Sequence, residues 1–145
     1  MSAEPKMVGQ WKTHDGHVCG VAFSPDGRQI ASAGWDHQAK LWDIDLTTFT
    51  AMLAGRSPVR DHDDIVREVA YSPDGRYLAS GGESGEVFVW DLTVATGDVL
   101  EQWQLPGWVW QARWNPDQSR VATANGDGTI YIFRSPPLPF GHLAQ

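Results

Sequence analysis

The sequence is poor in the features that announce most functions. It holds one cysteine, Cys19, in 145 residues, so an internal disulfide framework is excluded. A lone thiol suits a reducing compartment, and the expected location is cytoplasmic. No run approaches the roughly 20 consecutive apolar residues of a membrane helix. Met1 to Gln10 contains no apolar core of a secretory signal. Basic charge is scarce: Lys+Arg number 11 against Asp+Glu 18, for a net charge of -7. That balance makes a nucleic-acid partner unlikely as an expectation, because such binding needs a basic face. Phosphate-cradling glycine motifs are missing. The nearest approach to a nucleophile elbow, Gly82-Glu83-Ser84-Gly85, is followed by Glu86 and fails at its last position. Membrane, cofactor and enzyme readings are therefore set aside, with no catalytic residue, no metal and no cofactor expected.

What the chain does have is turn formers and aromatics: 15 Gly, 9 Pro and 8 Trp. At 41% hydrophobic and 20% charged it is composed like an ordinary globular domain, not a disordered one. Above all, it repeats. Gly20-Val21-Ala22-Phe23-Ser24-Pro25-Asp26-Gly27-Arg28 returns as Glu68-Val69-Ala70-Tyr71-Ser72-Pro73-Asp74-Gly75-Arg76, and more loosely from Gln111 to Ser119. The aromatic steps through positions 23, 71 and 114. A second landmark, Trp42-Asp43, Trp90-Asp91 and Phe133-Arg134, keeps the same 48- and 43-residue spacing. Two anchors in one register define repeats of propeller-blade length.

Each repeat reads as short strands. Val18, Val21 and Phe23 are apolar with one extra residue between the first two, which is alternation broken by a bulge. Val66, Val69 and Tyr71, and then Val109, Ala112 and Trp114, follow suit. Ser-Pro-Asp-Gly supplies a turn, with Pro fixing φ and Gly accepting a left-handed backbone. In the third repeat Gln118 replaces that Gly. A left-handed Gln adds strain of about 1 kcal/mol. Second strands run from Ile30, Leu78 and Val121, third strands from Ala39, Glu86 and Thr129, and fourth strands near 49–53 and 99–103.

These residues resemble the WD40 repeat family. Trp42-Asp43 and Trp90-Asp91 match its naming dipeptide, while Phe133-Arg134 departs from it. The resemblance covers about residues 10 to 134. It implies a buried hydrogen-bond set in each blade: His14, Ser32, Asp36 and Trp42 in the first; His62, Ser80 and Trp90 in the second, with Ser84 in the Asp place; and Thr123 and Asp127 in the third, with Leu105 and Phe133 replacing His and Trp. Linked in this way, polar groups that would be costly if buried alone satisfy one another. The first blade should be the best locked and the third the least.

The expected fold is all-β: three WD40-type four-stranded propeller blades, an incomplete propeller as a single chain, the third blade lacking a good outer strand. The segments are 1–13, with an outer strand at about 8–12; 14–55, blade 1; 62–105, blade 2; 106–134, partial blade 3; and a Pro-rich tail, 135–145. Closed propellers have about four to eight blades. Two arrangements answer the shortfall: a head-to-tail homodimer forming a six-bladed ring, in which the N-terminal strand completes the partner's third blade as the family resemblance implies, or a piece of a longer propeller.

Chemistry-bearing residues have competing readings. His14, Ser32 and Asp36 could be named a triad, but they recur by repeat register, which favours structure. His14, His17, His37 and the Asp61-His62-Asp63-Asp64 segment could ligate metal, yet loop polarity accounts for them. Trp35, Trp108 and Trp110 do not fit the core positions of the repeat. They either pack between blades or, with Arg67 and Glu83, form a recognition surface. The function expected is a non-catalytic interaction module or scaffold presenting blade loops to a protein or peptide. The alternatives are small-molecule or carbohydrate binding through exposed Trp, or a regulatory or sensor portion of a longer propeller.

Overall fold

The computed structural model describes residues 4–54, 61–94 and 99–134. These residues form eleven strands and no helix, in three separate antiparallel sheets. The first sheet contains β1 (Val18–Phe23), β2 (Gln29–Gly34), β3 (Ala39–Asp45) and β4 (Thr50–Leu53) in that order. The second repeats the pattern with β5 (Val66–Tyr71), β6 (Tyr77–Gly82), β7 (Glu86–Asp91) and β8 (Val99–Gln104). The third has β9 (Val109–Trp114), β10 (Arg120–Asn125) and β11 (Ile130–Arg134), and no fourth strand among the described residues. The Pro-rich segment 135–145 lies outside the described residues.

Register explains why the three sheets are one design. Ser32 faces Val21 and Lys40, Ser80 faces Val69 and Phe88, and Thr123 faces Ala112 and Tyr131. Each first strand carries a bulge at the same point, between Val18 and Gly20, between Val66 and Glu68, and between Val109 and Gln111. The first strands β1, β5 and β9 stand side by side, so the sheets follow one another as blades.

Blades join through apolar faces. Ala31, Ala33, Ala39 and Leu41 of blade 1 share a core with Val66 and Val69 of blade 2. Ala79 and Val87 of blade 2 cluster with Ala112, Val121 and Val109 of blade 3. Each fully buried Val or Leu side chain contributes about 1.5–3 kcal/mol, so both seams add substantially to the stability. Polar contacts register them: Gln118 of blade 3 accepts the Asp74 N–H at 2.9 Å and donates to the Asp74 carboxylate at 3.0 Å.

The outer strand expected at 8–12 is not formed. Residues 4–13 have no strand partner and run as irregular chain beside blade 1, where Val8, Gly9 and Trp11 line one hollow together with Phe23, Ile30, Ile44 and Phe49. A strand needs a free ladder edge. The outer edge of β4 and the edge of β11, two blades away, are both left unpaired by residues 4–13. Among the described residues no helix is long and apolar enough to cross a membrane.

Candidate functional site

The buried polar sets are graded from blade to blade. In blade 1 His14 lies 2.7 Å from both Asp36 Oδ1 and Ser32 Oγ, and Trp42 Nε1 donates to Ser32 Oγ at 3.0 Å. With Nδ1–H donated to the carboxylate, Nε2 is left to accept the Ser32 hydroxyl. A Cβ at Gly34 would sit 2.6 Å from the His14 ring, so only glycine lets the imidazole in. Burial acts to raise the pKa of Asp36, but the His14 and Asp15 hydrogen bonds outweigh it and hold the carboxyl below its ordinary value.

Blade 2 keeps His62 Nε2 to Ser80 Oγ at 2.7 Å and Trp90 Nε1 to Ser80 Oγ at 3.0 Å. Ser84 does not stand in for Asp. It donates to Glu86, whose carboxylate also takes the Asp63 N–H and lies 3.7 Å from His62 Nδ1. A carboxylate two residues after Ser84 was the available signal, since a longer side chain can start later and reach back. Phe88 stacks on His62 at 4.1 Å, where Lys40 occupies the matching place of blade 1. In blade 3 the expected link from Thr123 to Asp127 is absent. Thr123 donates to Asn125, while Asp127 takes the Thr129 N–H and the Tyr131 hydroxyl at the surface. Leu105 in the His place supplies no bridge between them.

The triad reading of blade 1 fails on access. Ser32 is fully buried, and its oxygen is already committed to His14 and Trp42. Attack on a substrate needs an exposed nucleophile with an oxyanion site beside it. Among the described residues, no cluster of three or more His, Cys, Asp or Glu is arranged to hold a metal ion.

The other sequence candidates gather at one end of the blades. The bulge leaves one unpaired residue in each first strand: Cys19, Arg67 and Trp110. A bulge re-aims the side chain it frees. The same backbone bond then ties the second-to-third-strand turn to the first strand in every blade: Trp35 N–H to His17, Glu83 N–H to Ile65 and Gly126 N–H to Trp108, at 2.8–3.0 Å. Two rows result along the rim, Cys19–Arg67–Trp110 and Trp35–Glu83–Gly126.

Within them Arg67 is clamped. It donates to Glu83 at 2.5 Å, and its guanidinium carbon lies 5.4 Å from the Trp110 ring centre. The Glu83 hydrogen bond raises the Arg67 pKa further. Trp110 meets Trp108 edge-on, with centroids 5.3 Å apart. Gly126 lies beside both: a Cβ added there would be in ordinary contact, 3.4 Å from Trp108 Cβ and 3.5 Å from Trp110 Nε1. Trp35 is a blade away and stacks on His17 at 4.2 Å. Trp35, Trp108 and Trp110 are 45%, 47% and 44% exposed, so none is a core residue. The geometry therefore joins Arg67, Glu83, Trp108 and Trp110, leaves Trp35 as a second aromatic position, and adds His17, the blade 1 equivalent of Trp108, to the rim.

Successive antiparallel sheets, two of four strands and one of three among the described residues, joined first strand to first strand define a β-propeller repeat protein. The family model "WD domain, G-beta repeat" matches residues 5–43, 56–91 and 100–134, and the chain belongs to this WD40 family. Curated relatives match over single stretches. The APC/C activator protein CDC20 of Saccharomyces cerevisiae is 43% identical over 37 residues, 26% of this chain and 6% of that protein. Ribosome assembly protein 4 of Chaetomium thermophilum is 53% identical over 38 residues, 26% of this chain and 7% of that protein. WD repeat-containing protein 1 of Mus musculus is 32% identical over 54 residues, 37% of this chain and 9% of that protein. The chain thus spans under a tenth of the length of these relatives. Members of the family serve generally as non-catalytic interaction modules.

Proposed function

We propose that this chain is a cytoplasmic protein-interaction scaffold that captures a protein or peptide segment on its rim, with Trp108 and Trp110 as anchors and the Arg67–Glu83 pair as the polar flank. One observation carries the reading: two adjacent indoles stay nearly half exposed where the repeat demands neither. Exposed tryptophans beside an arginine have the composition of a binding hot spot. Arg67 has already given its charge to Glu83, which fixes the face of Trp110 and cuts the entropy cost of docking. One relative carries a name of assembly, "Ribosome assembly protein 4". The scaffold works as a wheel of two copies joined head to tail, because six blades fall within the closing range.

The test is selection of peptides on the intact chain from a random display library, followed by binding measurements on Trp108→Ala and Trp110→Ala. Each substitution is expected to weaken binding about 30-fold or more, the loss of a hot-spot residue. The melting temperature should stay close to that of the parent. Unchanged affinity in both variants would refute the rim site. A collapse of stability would instead make the indoles structural.

A further inference from the structure

The seam between copies can be read from the seams inside the chain. Val21 and Phe23 on β1 are 66% and 67% exposed, whereas their register equivalents in blade 2, Val69 and Tyr71, pack against blade 1. At the other end, Ile130 and Ile132 on β11 are 72% and 65% exposed, yet their equivalents Ala39 and Leu41, and Val87 and Val89, are buried. Blade 1 thus bares the face that every following blade buries, and blade 3 bares the face that every preceding blade buries. Two such faces on one molecule are self-complementary in the head-to-tail sense, which closes a ring when the rotation fits.

A finer regularity sets the register. The aromatic ending each first strand lands on the residue opening the preceding blade's second strand. Tyr71 reaches Gln29, its hydroxyl 3.4 Å from Oε1, and Trp114 stacks on Tyr77 at 6.0 Å. The next pair in this series is Phe23 with Arg120, both exposed and both free of such a partner within the chain.

We infer that a second copy of this chain docks its blade 1 face (Val21, Phe23) onto the blade 3 face (Ile130, Ile132), with Phe23 lying over the Arg120 guanidinium. The inference rests on the head-to-tail reading above. The chemistry agrees: aliphatic side chains meet, and the aromatic face meets a cation, a contact that gains strength as water leaves. Register also places Lys40 on the Val21 face and Arg113 and Arg134 on the Ile132 face. Lys40 is held by Thr13 and Asp36 and Arg113 by Glu68, so those two charges are already engaged within the chain.

Light scattering of the intact chain tests it, together with Val21→Arg, Ile132→Arg and Phe23→Ala. All three positions are exposed in one copy, so circular dichroism should find each variant folded. The parent is expected to be dimeric, each Arg variant monomeric, and Phe23→Ala about tenfold weaker in association, the size of a lost cation–π contact. Mixing Val21→Arg with Ile132→Arg should restore pairing, because one of the two joints then combines two intact faces. A monomeric parent would overturn both the joint and the head-to-tail wheel. A dimer indifferent to Val21→Arg and Ile132→Arg would overturn the joint alone. Loss with Val21→Arg but not with Ile132→Arg would mean a symmetric blade 1 contact and would also overturn it.

Discussion

Gln118 is where the residue scale is most instructive. Its backbone has φ 66°, in the left-handed region where Gly27 and Gly75 serve the first two blades. A non-glycine there costs about 1–2 kcal/mol. Its side chain returns part of that through the paired contacts with Asp74 across the seam, each worth about 0.5–1.5 kcal/mol before exposure weakens it. The two substitutions therefore separate. Gln118→Ala keeps the strain and loses the contacts, so chemical denaturation should find it about 1 kcal/mol less stable. Gln118→Gly loses the contacts and the strain together and should fall within about 0.5 kcal/mol of the parent. Equal loss in both would mean that the strain is not released by glycine, and the seam contact would then be the whole effect.

Among elements, two influences compete over which blade is most secure. The polar sets favour blade 1, whose His14 makes both bonds at 2.7 Å. Burial favours blade 2, packed on both faces, where β6 is buried along its whole length while β1 alternates between exposed and half-buried. A hydrogen bond nets about 1 kcal/mol and a seam contributes several times that, so burial should win. In hydrogen exchange at low protein concentration, β6 and β7 should be the last to exchange and β11 the first, with β1 between. Slower exchange in β1 than in β6 would show the polar sets to dominate. The strands themselves were legible because alternation and two fixed anchors recur in one register. Three things were not. The N-terminal segment reads as an outer strand, but whether it pairs depends on which sheet edge it reaches, and that is a fact of topology. Glu86 replaces a missing Asp from two residues further on, outside any fixed offset. The bulge was visible at Val18–Val21 and its equivalents, yet that it aims Cys19, Arg67 and Trp110 at one rim follows only from the pairing of strands.

The whole molecule has one shared weakness, acid. Turn and loop carboxylates recur blade by blade. Side-chain hydrogen bonds from Ser24 to Asp26, from Ser119 to Asp117 and from Tyr131 to Asp127 lead in holding those carboxyls below their ordinary values. Asp36 and Asp74 reach the same direction against burial, through the His14 bond and the Arg76 N–H respectively. A carboxylate depressed in the folded state stabilises fully above its unfolded value, near 4, and loses that contribution as pH falls through the folded value. Because these groups sit in all three blades, their losses coincide instead of melting one blade at a time. The melting temperature should therefore be level from neutrality to about pH 5 and decline below about pH 4. Thermal melts followed by circular dichroism across that range check it. Asp36→Asn should flatten part of the decline, because an amide keeps the shape and removes the titration. A loss of stability already under way well above pH 5 would mean that groups other than these carboxylates govern the fold.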